Sequence, residues 1–179
     1  MKKRITEKAP YFLPDYIVDS VTDIDFEYLS RQGIKACLFD LDHTILHHGT
    51  TIIQPEILEH IHESGMKVYI ATNRVYNDVL DEIAIQLKAD GIVHAVRGNF
   101  AKPSRAYYAH AIQKTGCKPE QIIMIGDRIL QDVWGSRRSG LRAILLSKFG
   151  PIKWWDQVLI IPDRLLPVVF KKKYQDYAS

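Results

Sequence analysis

An α/β fold with a mostly parallel central sheet and helices on both faces follows from three observations. Short apolar runs at 34–39, 67–71, 121–125 and 142–146 alternate with longer amphipathic stretches, the pattern of strands joined by helical crossovers. The first run is apolar on both faces apart from Lys35, as a central strand covered from both sides requires. Three of these strands end in polar residues: Asp40 and Asp42, then Thr72 and Asn73, then Asp127. In doubly wound sheets ligands bind beyond the carboxyl ends of the strands, so these residues are expected to converge on one edge.

Each element has a local reason. Gly33 leads into the first strand. A helix is expected over 55–64, because Pro55 suits a first helical turn and Gly65 the left-handed position after the last. After the strand at 67–71, Tyr76, Leu80, Ile83 and Leu87 fall at helical spacing. A short strand is expected at 92–95. Pro103 is expected to open another helix that ends near Gly116. The strand at 121–125 runs into Gly126-Asp127, a short helix follows over 132–138, and 142–146 is the last strand. The tail from Lys148 has three prolines and is expected to be irregular with some helix. The whole, 1–179, is expected to be one domain. Its core is about 34–147, with an N-terminal extension and a C-terminal tail packed on it.

Composition narrows the classes. A hydrophobic fraction of 46% and a charged fraction of 25% exclude a disordered chain. The net charge of +3 is a poor basis for binding nucleic acid, and none is expected. Cys37 lies in an apolar run and Cys117 follows Gly116. Their spacing fits neither a zinc site nor a disulfide framework, and a reducing, cytoplasmic compartment fits both. Met1-Lys2-Lys3-Arg4 is not followed by an apolar segment of signal-peptide length. No stretch reaches the roughly 18 apolar residues of a membrane span.

The chemistry-bearing residues begin with Asp40-Leu41-Asp42-His43-Thr44. Two carboxylates this close repel when ionised, so a cation is expected beside them. Carboxylate and backbone oxygens are hard ligands that suit Mg²⁺, an ion that also carries phosphate oxygens. A second acidic pair, Asp127 and Asp132, follows Gly126. Asp127 can complete the cation's shell, and Asp132 can hold its waters or cap the next helix. Lys102 offers positive charge. The Thr72 hydroxyl and the N–H groups beyond it offer donors to a phosphoryl group.

Asp-x-Asp-x-Thr after an apolar strand, a Thr after the second strand, a Lys, and Gly-Asp-x-x-x-x-Asp after a later strand resemble the four motifs of the haloacid dehalogenase (HAD) superfamily, in order and in spacing, over about 34–147. Phe12-Leu13-Pro14, Asp23-Ile24-Asp25 and Gly33-Ile34-Lys35 further resemble the YqeG branch of class IIIA phosphatases, which is similar to phosphatidylglycerophosphate phosphatases. The resemblance implies a Rossmann-like fold and a phosphomonoester hydrolase. Asp40 would be the nucleophile, Asp42 the acid and then the base, Thr72 a ligand of the phosphoryl group and Lys102 a charge neutraliser. Mg²⁺ would be held by the Asp40 carboxylate, the Asp42 backbone carbonyl and the Asp127 carboxylate, with Asp132 behind them. Asn73 and Arg74 are candidate substrate contacts. The gaps between motifs have room for one helix each with its connections, so no cap domain is expected. A bulky substrate or a neighbouring subunit in a homo-oligomer would then cover the site.

Two departures from relatives stand out. His43 occupies a position where many have Asn, and strand alternation would turn it away from the reacting carboxylates. Arg74 stands where relatives carry a small or amide residue. Bland readings apply elsewhere. Adjacent His47 and His48 rarely ligate one ion together, and Arg137-Arg138 reads as a solvated helix end. Trp154-Trp155 with Lys171 to Lys173 fit either packing on the domain or peripheral contact with an anionic membrane. The substrate is open at this point between a lipid head-group phosphate and a soluble sugar or nucleotide phosphate. A non-catalytic interaction protein on the same scaffold is disfavoured, because binding alone needs no nucleophile paired with an acid.

Overall fold

The structure, a computed structural model, describes residues 11–47, 49–96 and 100–146. His48, the basic N-terminus, and the tail with Trp154, Trp155 and Lys171 to Lys173 lie outside the described residues.

Among the described residues six strands form one sheet in which every pairing is parallel: β1 (Tyr16–Val18), β2 (Ala36–Phe39), β3 (Lys67–Val75), β4 (Gly91–Ala95), β5 (Ile122–Gly126) and β6 (Arg142–Leu146), in the order β1-β6-β5-β2-β3-β4. The chain lays β3 and β4 on one side of β2, then crosses back to lay β5 and β6 on the other. The end of β2 is therefore the switch point of the sheet, flanked by the ends of β3 and β5, where ligand crevices form.

Alternation along the strands builds two cores. Cys37 and Phe39, Val68 and Ile70, and Ile123 and Ile125 point to one face, under α1 (Phe26–Arg31), α2 (Pro55–Glu63) and α3 (Asp78–Leu87). Ala36 and Leu38, Tyr69 and Ala71, and Ile122 and Met124 point to the other, under α4 (Arg105–Thr115). With both faces covered, β2 has no exposed residue. The Cys37 thiol, buried and pushed up by desolvation, is the inert structural cysteine its apolar run implies.

The helices follow their caps. Pro55 is in the first turn of α2, and Gly65 beyond its end has φ +64°. Tyr76 lies outside α3, because Asn77 caps Leu80 N–H and so sets the start at Asp78. Pro103 does not open α4. Its peptide bond with Lys102 is cis, and Ser104 caps Tyr107 N–H, so the helix begins at Arg105. The short helix expected over 132–138 is instead a π-turn, Ile129–Trp134, followed by α5 (Gly135–Arg137).

The sheet also begins earlier than the motifs. Tyr16–Val18 pairs with β6, and buried Asp15 fixes the pairing. Its carboxylate accepts Ala143 N–H at 2.9 Å and two bonds from Arg137 at 2.9 and 3.1 Å. Arg137 is therefore an anchor for the N-terminal strand rather than a solvated helix end.

Candidate active site

The carboxyl ends of β2, β3 and β5 bring the predicted residues together. Asp40 N–H still bonds Ile125 carbonyl at 2.9 Å, one residue past β2, so the nucleophile candidate stays locked to the sheet. The chain then leaves the sheet in a tight turn, with His43 N–H bonded to Leu46 carbonyl and Leu46 N–H to Leu41 carbonyl, each at 2.9 Å. His43 has φ 60° and is buried. Strand alternation therefore does not decide its direction, because the strand has already ended. His, like Asn and Asp, adopts this left-handed conformation more often than other non-glycine residues.

Lys102 is the centre of the site. Its ammonium lies 2.7 Å from Asp40 Oδ1 and 2.7 Å from Asp132 Oδ1, with its side chain 1% exposed. A lysine buried this deeply is not a solvated loop residue. Burial alone would lower its pKa, but the carboxylates of Asp132 and Asp40 outweigh that and hold it above the usual value. Asn73 fixes the loop that carries Lys102. Its Oδ1 accepts Lys102 N–H at 2.7 Å and its Nδ2 donates to Lys102 carbonyl at 3.1 Å. The same Nδ2 donates to Gln131 Oε1 at 3.2 Å. The Asn73 amide is thus engaged with the protein rather than open to substrate.

Thr72 is buried, and its Oγ1 accepts Arg74 N–H at 3.1 Å. Buried Tyr107 holds the same residue from behind, donating to Val93 carbonyl at 2.8 Å and Thr72 carbonyl at 3.1 Å. Tyr108 donates to Gln131 carbonyl at 2.7 Å and so supports the π-turn. Sequence reading missed both tyrosines, although a buried aromatic hydroxyl needs a partner.

Asp132 is no helix cap. It sits inside the π-turn, 1% exposed, and its Oδ2 accepts Arg128 N–H at 3.1 Å while Oδ1 holds Lys102. Gly126 makes this approach feasible. A Cβ there would lie 2.3 Å from Asp132 Oδ2 and 2.8 Å from its Cβ. Gly126→Ala is therefore expected to push Asp132 off Lys102. The expected loss is about a hundredfold in kcat/KM, as displacements of about 1 Å in a site can cause, and steady-state kinetics on the purified variant measures it.

Carboxylate oxygens of Asp40, Asp127 and Asp132 all lie within 4.8 Å of one another. Burial raises the Asp40 carboxyl to about 6, with Lys102 opposing and Asp132 and Asp42 adding to the rise. Burial, Asp40 and Asp132 likewise raise Asp127 well above the carboxylate range. Asp127 Oδ1 is buried without a hydrogen-bond partner, an atom of the kind a hard cation satisfies. Both Asp132 oxygens are already engaged, which suits it to a place behind the ligands. Asp42 stands apart from this group. Arg74 forks its carboxylate, Nε to Oδ2 at 2.9 Å and Nη2 to Oδ1 at 2.5 Å.

A family model for haloacid dehalogenase-like hydrolases matches residues 53–140. The chain is 28% identical over 139 residues to the probable phosphatase YqeG of Bacillus subtilis (strain 168), covering 76% of this chain and 77% of that one. The chain belongs to the haloacid dehalogenase-like hydrolases. Within them it falls in the YqeG-like branch, and it is a phosphatase of that family. This hydrolase is also 27% identical over 149 residues to the phosphatidylglycerophosphate phosphatase 1, chloroplastic/mitochondrial, of Arabidopsis thaliana, spanning 42% of that longer protein. A crystal structure of a protein from Listeria monocytogenes serotype 4b shares the fold, with a TM-score of 0.50 and 15% identity over 78% of this chain and 99% of that one. The family match begins beyond Asp40 and Asp42. Asp40 touches Lys102 and Asp42 touches Arg74, and the roles of both are taken up as proposals below.

Proposed function

We propose that this hydrolase cleaves phosphomonoesters with Mg²⁺ through an aspartyl-phosphate on Asp40, as a single domain without a cap. The observation that carries this reading is buried Lys102 bridging Asp40 and Asp132, with Asp127 Oδ1 left for a cation. Mg²⁺ would be held by the Asp40 and Asp127 carboxylates and the Asp42 carbonyl, with Asp132 behind them, and would neutralise charge on the phosphoryl oxygens. The free Asp40 oxygen attacks phosphorus and the ester P–O bond breaks. Asp42 gives a proton to the departing oxygen, then takes one from the water that cleaves the acyl phosphate. Lys102 has three N–H groups and two described partners, which leaves one for a phosphoryl oxygen. Thr72 supplies a donor on the other side.

The substrate we propose is a bulky phosphomonoester, with the head group of phosphatidylglycerophosphate as the first to test. The plant relative supports that choice. Peripheral contact with a membrane would accompany it, and among the described residues no helix is long and apolar enough to cross one.

Phosphate release from an aryl phosphate should require Mg²⁺ and stop with chelator, and activity persisting in chelator would remove the metal. Stability gives an independent readout. The Asp40 and Asp127 carboxyls are both raised in the fold, so keeping them ionised costs stability, and the cost shrinks as pH falls and they take up protons. Mg²⁺ is expected to raise Tm at pH 7.5 and to raise it less at pH 5.5, where it must displace protons. Thermal denaturation with and without Mg²⁺ checks this.

A further inference from the structure

Arg74 is a cation at this site to which the phosphoryl chemistry gives no role. Its backbone N–H donates to Thr72 Oγ1, and its guanidinium forks Asp42. It thereby joins the residue placed beside the phosphoryl group to the one that serves the leaving oxygen. Burial separates this pair from the rest. The Arg74 and Asp42 side chains are 26% and 32% exposed, against 1% for Lys102 and 10% for Asp40. The open side of the site is therefore the Arg74–Asp42 pair, and a leaving group has to lie across it.

A guanidinium has five N–H donors in a planar fork suited to carboxylate and phosphate. Two engage Asp42, and the other three have no partner among the described residues. A neutral leaving group offers them only uncharged acceptors, whose bonds are roughly half as strong as charge-assisted ones. An anionic group near the scissile ester offers the same kind of acceptor that Asp42 does, at the open side where Arg74 is reachable.

We propose that Arg74 reads a second negative charge on the leaving group, transferring N–H groups from Asp42 to it, so that this hydrolase prefers phosphomonoesters carrying another anion close to the ester. Arg74 is then a specificity-determining residue as well as a neighbour of the acid. The proposal rests on the phosphatase reading above and adds the class of substrate. The anion can be a carboxylate or phosphate of a soluble metabolite or the phosphodiester of a lipid, and two substrate pairs separate these sources.

The soluble pair is 3-phosphoglycerate and glycerol 3-phosphate, which differ in a carboxylate against a hydroxymethyl. The lipid pair, in nonionic detergent micelles, is phosphatidylglycerophosphate, which has a phosphodiester, and phosphatidic acid, which has none. With Mg²⁺ present, the full chain is expected to favour the anion-bearing member of at least one pair. In Arg74→Gln, kcat/KM for that member should fall about tenfold more than for its partner, mainly through KM, as loss of a charge-assisted fork predicts. Arg74→Lys keeps the charge and should retain part of the preference. A loss by the same factor on both members of both pairs, taken in kcat, would mean that Arg74 only orients Asp42 and would overturn the proposal. So would a wild-type chain that does not discriminate. Absence of turnover on all four substrates is a different failure, that of the phosphatase reading itself.

Discussion

Asp40→Asn is expected to lower phosphate release by a thousandfold or more while leaving the fold intact, and if anything firmer. An amide has the shape of the carboxylate but is far too weak a nucleophile to form an acyl phosphate, and losses of about this size follow removal of a nucleophile. The stability arm has the opposite sign. The Asp40 carboxyl is raised to about 6 by burial, against Lys102. At pH 7.5 its ionised form is thus disfavoured by the fold relative to the unfolded chain. A neutral isostere escapes that cost. In chelator, Asp40→Asn should melt no lower than wild type, and its Mg²⁺-induced rise in Tm should shrink. An inactive variant that melted far lower would instead mean a folding defect. Gain of stability with loss of activity is the trade expected where a site keeps like charges together for chemistry.

Lys102→Met is the converse case, costly to both fold and activity. The thioether fills similar space, but three carboxylates within 4.8 Å of one another lose their counter-charge. Removing one partner of a buried ion pair costs about 3–5 kcal/mol. The Asp40 and Asp127 carboxyls, already raised by burial, then move further up in the folded state. The penalty is full at neutral pH and shrinks as pH falls and the carboxylates take up protons. Urea denaturation at pH 7.5 and 5.5 should show the variant closer to wild type at the lower pH. An equal deficit at both would mean that Lys102 acts by packing. Activity should fall about a hundredfold to a thousandfold, the range for loss of one preorganised charge.

Much of the fold was legible because the central strands β2 and β5 are buried on both faces, which leaves the apolar runs and the polar residues that end them as plain signals. The β1 strand was not legible. Three residues are too few to show a period, and what fixes them is Asp15 bonding to Ala143 and Arg137, far away in sequence. The π-turn at Ile129–Trp134 has no distinguishing repeat, so it read as part of a short helix. In the site, the types of residue needed at Asp40, Thr72, Lys102 and Asp127 could be argued from charge and donors alone. Which partner each has could not. Asn73 was a candidate substrate contact as a polar residue at a strand's carboxyl end, yet both ends of its amide hold Lys102. Arg74 and Asp42 are 32 residues apart, and only the sheet brings them together. Gly126 read as a strand-end glycine. Its reason is the side chain of Asp132 lying where a Cβ would be.

The central claim is that Asp40 itself carries the phosphoryl group during turnover. Quenching the Mg²⁺-loaded enzyme in steady state, reducing the acyl phosphate with borohydride and sequencing the peptides by mass spectrometry tests it directly. The account predicts homoserine at position 40, dependent on substrate and absent when substrate is omitted. Turnover with position 40 unmodified, or with the reduced residue at another carboxylate, would contradict it.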